Sequence, residues 1–197
     1  DAARERLRTD VIDIVHLHSC GMETLIEGEV TRALLRSAEL GKLRVVAYSG
    51  DGEALRCAAA DGSFRGLQVS VNLCDQQGLR LIEDARSRGV GSIAKRPLAG
   101  RPWAPGGPPD DPVHLEYWRR FAELRAVTGA RPADWDALAL RFAAYAPGVD
   151  CCIVGGTDVR HIFRNAEIAA AGPLAEPEFS ALRDAFARVG SQWPGQV

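Results

Sequence analysis

The chain has 197 residues, 46% of them apolar and 25% charged, with a formal net charge of −2. That is an ordinary soluble globular composition with enough chain for a sizeable core, and without clustered positive charge it argues against nucleic acid as a partner. No apolar run approaches the ~20 residues that span a bilayer and no secretory leader is visible, so the cytoplasm is the expected location, although the chain opens on Asp1-Ala2-Ala3-Arg4 rather than on a methionine.

Short β-rich runs alternate with helical patterns. Residues 1–8 read as the last turns of a helix. The first β run, 11–18, precedes a helical stretch over 24–40 that Gly41 stops, a good helix C-terminal signal. A second run at 43–48 leads to a helix over 52–60, a third at 67–73 to a helix over 78–88, and a fourth at 90–95 to a Pro/Gly-rich loop over 97–112. Helices over 114–128 and 132–146 precede a fifth run at 151–154, a helix over 159–171 and a last helix over 177–189.

Strands alternating with helices imply a parallel sheet, and runs apolar on both parities imply cover on both faces. An open doubly wound sheet and part of a barrel both fit. No G-x-G-x-x-G follows the first run, which weighs against a dinucleotide-binding Rossmann fold. A full (β/α)8 barrel takes roughly 250 residues. A five-unit piece would leave two strand edges unpaired and interior side chains uncovered, both association hazards. The expectation is therefore a single domain over 1–197 that is N-terminally truncated, is completed by another chain, self-associates through its edges, or has closed up differently. Cys20, Cys57, Cys74, Cys151 and Cys152 are odd in number and form no C-x-x-C, so they read as reduced thiols rather than a disulfide framework or zinc site.

Few residues carry chemistry on pattern alone. His16 and His18 share a strand parity, opposite to Val15 and Leu17. If that parity faces a barrel axis, His18 lies at the carboxyl end, where barrel active sites form. From spacing alone, a buried histidine satisfied by a neighbour is the better reading. Gly155-Gly156-Thr157-Asp158 ends a strand and opens a helix; its backbone N–H groups suit phosphate, while Asp158 also suits a plain N-cap. Trp103 and the loop around it would either cover a barrel mouth or be a linker. Trp118, Trp135 and Trp193 read as packing or surface-anchor residues.

The segments resemble, in order and spacing, the second half of the aldo-keto reductases. Residues 7–18, LRTDVIDIVHLH, resemble the family's L-x-T-D-Y-I-D-L-x-x-x-H, its fourth strand. Residues 41–50, GKLRVVAYSG, resemble G-K-I-R-x-I-G-V-S-N/G, and 68–73, QVSVNL, resemble Q-V-x-Y-N-L. Residues 93–100, IAKRPLAG, resemble I-A-x-x-P-L-A-G, and Ile153-Val154-Gly155-Gly156-Thr157 with His161 and Asn165 resembles the eighth strand and the helix after it. The match covers nearly the whole chain.

The resemblance implies a partial TIM-barrel-type α/β fold of about five β-α units, NADP as cofactor with NAD as the alternative, and a small-molecule aldehyde or ketone as substrate. Of the family's catalytic Asp, Tyr, Lys and His, only the His has a counterpart, His18; Tyr48 and Lys95 lie in the wrong strands for the other roles. Ser49 and Gln68 match the residues that bond the nicotinamide carboxamide, which needs both donor and acceptor. The family's frequent Asn after that Ser is Gly50 here, and Asn72 reads as strand-end hydrogen bonding. Lys95 and Arg96 replace a Tyr-Ser pair; Arg96 would pack over the nicotinamide ring or meet a pyrophosphate oxygen, or else form a surface ion pair. Leu98, Gly155, Gly156, Thr157, His161 and Asn165 fall at cofactor-binding positions, and Arg164 stands where Glu is usual.

Three functional readings follow. The chain is an NADP-dependent oxidoreductase of this family or a fragment of one. Alternatively it is a catalytically inactive truncated paralogue or cofactor-binding subunit lacking the Tyr, Lys and Asp. The third reading is an unrelated barrel holding a phosphorylated ligand at residues 155–158.

Overall fold

Five strands pair in parallel in their order along the chain: β1 (Ile12–His18), β2 (Leu43–Ser49), β3 (Gly66–Ser70), β4 (Gly91–Lys95) and β5 (Cys151–Cys152). This computed structural model describes residues 1–18, 20–129 and 132–196. The sheet keeps two open edges, β1 and β5. Between the strands lie α2 (Met22–Glu27), α3 (Glu29–Glu39), α4 (Gly52–Asp61), α5 (Leu79–Ser87), α6 (Pro112–Thr128) and α7 (Trp135–Ala144). A short α1 (Ala2–Leu7) leads in, and α8 (Val159–Ala170) and α9 (Glu176–Val189) follow β5.

The two sheet faces differ. Leu17, Tyr48 and Leu67 occupy one transverse row and are all buried, because their parity points at the helices. The opposite parity carries Ile14, 42% exposed, with His16 half-buried and His18 exposed. This is the face that lines the axis in a closed barrel, and here it is incompletely covered. The core lies between sheet and helices, around Leu55, Leu67, Val69, Leu79, Ile82, Ala94 and Phe142.

Local chemistry sets the element ends. The helix expected over 24–40 is two helices, because Gly28 sits at φ 67, where it closes α2. The third β run ends at Ser70 rather than 73. Asn72 and Asp75 instead pair with each other, and the Asn72 Oδ1 accepts from the Cys74 amide at 2.9 Å. The fifth run shortens to two residues: after the Ile153 amide donates to the Ala94 carbonyl at 2.9 Å, the chain leaves the sheet. Asp111 caps α6, accepting from the His114 amide at 2.9 Å, with Pro112 in the first turn and Gly129 in the left-handed conformation at the far end. All five cysteines are free, and no described helix is long and apolar enough to cross a membrane.

Candidate functional site

Parallel register brings the sequence-predicted residues to one end of the sheet. His18 pairs with Ser49, and Ser49 with Gln68. Register partners project to the same side, so these three form one row on the axis-facing parity. His18 is the exposed last residue of β1, and Gln68 is half-buried. Ser49 is fully buried, and its Oγ has no hydrogen-bond partner among the described residues. A buried hydroxyl left unbonded is costly, so this one suits a polar group arriving from the axis side. His16 lies one layer deeper, beside Ala47. Burial, and then the neighbouring His18, lower its pKa and favour the neutral ring.

Gly50 has a steric cause. A Cβ there would come within 2.6 Å of the Tyr48 hydroxyl, which donates to the Cys20 carbonyl at 3.1 Å. Tyr48 faces the helices, and burial is the main cause that pushes its pKa up to about 12. It is a poor proton donor near neutrality.

A cleft of about 970 Å³ lies beyond the carboxyl ends of β4 and β5, walled by the start of α6. Lys95, Arg96, Leu98, Gly155, Gly156, Thr157 and His161 all line it, seven of the predicted cofactor residues. Arg101, His114 and Tyr117 complete much of the remaining wall, and no acidic side chain lines it among the described residues. Such a lining favours an anion. Asn165 does not line the cleft; it lies half-buried one turn beyond His161 on α8. Asp158 is an N-cap, accepting from the Arg160 amide at 2.9 Å and pairing with the Arg160 guanidinium. Arg160 holds its carboxyl below the usual range. Arg164 pairs with Asp134, away from the cleft.

The loop after β4 is strained. Arg96, Ala99 and Arg101 have φ of 56°, 49° and 58° without being glycine, a conformation that costs roughly 1–2 kcal/mol per residue. Surrounding bonds hold it: Asn72 Nδ2 donates to the Arg96 carbonyl at 3.1 Å, and Arg101 bridges to Asp136 at 2.9 Å. Trp103 is an anchor for this loop, since it stacks on Trp135 and meets Phe121 edge-on, and its Nε1 donates to Asp136 at 2.7 Å.

The partners of these site residues carry no signal in the sequence. Lys95 is buried in an ion pair with Asp51 at 3.0 Å, and Asp51 also accepts from the Ser70 amide and hydroxyl at 2.8 and 3.0 Å. Arg96 is no surface ion pair: its Nη1 donates to the Gln196 carbonyl at 2.5 Å and lies 3.5 Å from the Ser70 Oγ. Arg120, Asp75 and Gln77 tie down the C-terminal residues. The Tyr117 hydroxyl is buried close to Asn72 and Ser70, and burial is the first cause that pushes its pKa up to about 12.

Comparison with known proteins places this arrangement. A sequence profile described as the Aldo/keto reductase family matches residues 1–186. L-galactose dehydrogenase of Arabidopsis thaliana is 27% identical over 180 residues, 84% of this chain and 54% of that protein. The aldo-keto reductase AKR11C1 from Bacillus halodurans, in its holo form, superposes with a TM-score of 0.77 at 20% identity, over 93% of this chain and 64% of its own. A thermostable aldo-keto reductase solved with the inhibitor epalrestat superposes with a TM-score of 0.65 at 22% identity, over 92% of this chain and 62% of its own. This chain thus spans between 54% and 64% of the length of these relatives. The profile covers nearly every element described above, and the chain belongs to the aldo/keto reductase family.

Proposed function

We propose that this chain forms the cofactor side of an NADP-dependent aldo-keto reductase that moves a hydride between a nicotinamide and an aldehyde or ketone. The observation that carries the reading is the cleft, where seven predicted cofactor residues converge in a cationic lining without an acidic side chain. The residues fit the group. A Cβ built on Gly155 would meet nothing within 4 Å, so a phosphate can approach the backbone there, and the twelve-residue α8 turns the positive end of its dipole toward the same loop. Arg96 and His161 would hold phosphate oxygens, and Asn165 would lie toward the adenine. The unsatisfied Ser49 Oγ and Gln68 would bond the carboxamide, and His18 would donate to the substrate carbonyl oxygen. NADPH, when bound, supplies the hydride. NAD is the alternative, because Arg164 is paired with Asp134 rather than held ready for a 2′-phosphate.

Of the family's four catalytic positions the 197 residues carry His18. Tyr48 and Tyr117 are buried with raised pKa values, and Lys95 is held by Asp51. This polypeptide alone therefore turns over little or no carbonyl substrate. The second reading, a catalytically inactive truncated paralogue or cofactor-binding subunit, draws on the same observation. The open edges β1 and β5, with Ile162 and Phe163 on α8 55% and 67% exposed, favour association with a complementing chain or a second copy.

The test is thermal unfolding with NADPH, NADH and a sugar phosphate as separate ligands. A ligand at 100 times its Kd adds about 2.7 kcal/mol to stability, a rise of roughly 5–10 °C for a domain of this size. NADPH should give it. A rise with the sugar phosphate and none with either dinucleotide would sink the reading in favour of a phosphorylated-ligand barrel.

A further inference from the structure

We infer that the C-terminal strap, residues 190–196, positions the cationic wall of the cleft, so that seating of the strap and binding of an anionic ligand are coupled. This rests on the cofactor reading above. The strap's backbone is gripped along its length by side chains from the carboxyl-end loops and α6. Gln77 Nε2 donates to the carbonyls of Gly190, Ser191 and Trp193 at 3.1, 3.0 and 3.2 Å. Arg120, 1% exposed, donates to the Pro194 carbonyl at 2.9 Å, with its guanidinium 5.3 Å from the centre of the Trp193 ring. Asp75, also 1% exposed, accepts from the Gln196 amide at 3.1 Å. Burying charge is costly without partners, and here two buried charges are turned toward one short piece of backbone.

The strap then reaches two of the cleft-wall cations, Arg96 directly and Lys95 through its partner Asp51. The Gln196 carbonyl accepts from Arg96 Nη1 at 2.5 Å. Gly195 lies against Asp51, the partner of Lys95; a Cβ on it would come 2.9 Å from the Asp51 Cβ and 3.0 Å from the Gly52 amide nitrogen. Arg96 starts from a left-handed backbone, φ 56, which fixes where its side chain leaves the chain. Its Nε and Nη2 carry no hydrogen bond among the described residues, so a guanidinium anchored at one corner keeps donors for an anion. A neutral carbonyl anchors without cancelling charge, as a carboxylate would. By linkage, a ligand that bonds Arg96 in this orientation must in turn favour the seated strap.

The experiment uses the whole chain. Gly195→Val pushes the strap off Asp51, and NADPH binding is followed by tryptophan fluorescence. Loss of one charge-assisted contact corresponds to roughly tenfold weaker binding. Arg96→Ala should give a similar loss with a shallower salt dependence. The double variant should lose less than the sum of the two single losses, since both remove the Arg96 contact. A strap that only adds stability would leave affinity unchanged or give losses that add, and either result overturns the inference. Should Gly195→Val fail to fold, hydrogen exchange in the wild type decides: NADPH should slow exchange of the Gln196 amide, and an unchanged rate overturns the inference. A wild type that binds neither NADPH nor NADH removes the cofactor reading itself, and the inference with it. A wild type that binds, beside a strap variant that binds equally well, removes this inference alone.

Discussion

Replacing Asp75 by Asn should stabilise this protein at neutral pH. Asp75 is 1% exposed, and its pKa is raised from 3.8 to about 6. Burial is the largest cause; Asp51 also raises it, while the Gln196 amide, Arg120 and the Gln77 amide pull it back. Tyr117 faces it as well. A carboxyl whose pKa is higher folded than unfolded holds its proton more tightly in the folded state. Its contribution to stability is complete below about pH 4 and is lost as pH rises through about 6. The interval from 3.8 to about 6, at 1.36 kcal/mol per pH unit, sets the ionisation cost at about 3 kcal/mol by pH 7.5. Asn cannot ionise, yet its carbonyl can still accept from the Gln196 amide. Arg120 keeps its bond to Glu116 at 2.8 Å, so no lone buried charge is created. Urea unfolding between pH 4.5 and 8 should show the two proteins converging at the acid end, with Asp75→Asn ahead by about 1–3 kcal/mol at pH 7.5. A variant less stable than the wild type at pH 7.5, or a difference that does not change with pH, would refute the reasoning: the first would mean that the Asp75 charge repays its burial through Arg120.

The buried Lys95–Asp51 pair should behave asymmetrically: Lys95→Met leaves Asp51 without its cation and should cost about 3–5 kcal/mol, and adding Asp51→Asn should recover part of that in the same urea assay. Gly148→Ala should lower the melting temperature markedly in calorimetry, because the residue sits at φ 87 and the new Cβ would come 2.8 Å from the Glu83 amide nitrogen, a backbone atom that cannot step aside. Phe163→Glu should reduce concentration-dependent association seen by light scattering, since Phe163 is 67% exposed beside Ile162; a variant that associates as strongly as the wild type would place the contact elsewhere.

Much of this architecture was legible in the order of residues. Periodicity located the five strands, and the family motifs named a set of site residues of which seven meet in one cleft. The shared parity of His16 and His18 followed from the alternation of side chains along a strand, which needs no tertiary information. The helix break at Gly28 and the early end of β3 at Ser70 were missed. A lone Gly within a helical pattern does not reveal its φ, and Val71 and Leu73 are apolar enough to extend a strand, while the pairing of Asn72 with Asp75 turns the chain back.

Sequence by itself determined what depends on neighbours along the chain: the β-α alternation, the parallel pairing it requires and the glycines before α8; it named His18, Ser49 and Gln68 singly, and the register set them in one row. Tertiary structure alone decided which charges are buried and what they face. Asp51 meets Lys95 across β3, and Arg120 and Asp75 meet a strap far along the chain. Arg96 meets the Gln196 carbonyl where sequence left a stacked ring, a phosphate or a surface ion pair open. Hydrogen bonds and desolvation act over a few ångströms of space, however far apart the residues lie in the chain. The register of the sheet and the path of the C-terminal strap therefore had to be known before these partners could be named.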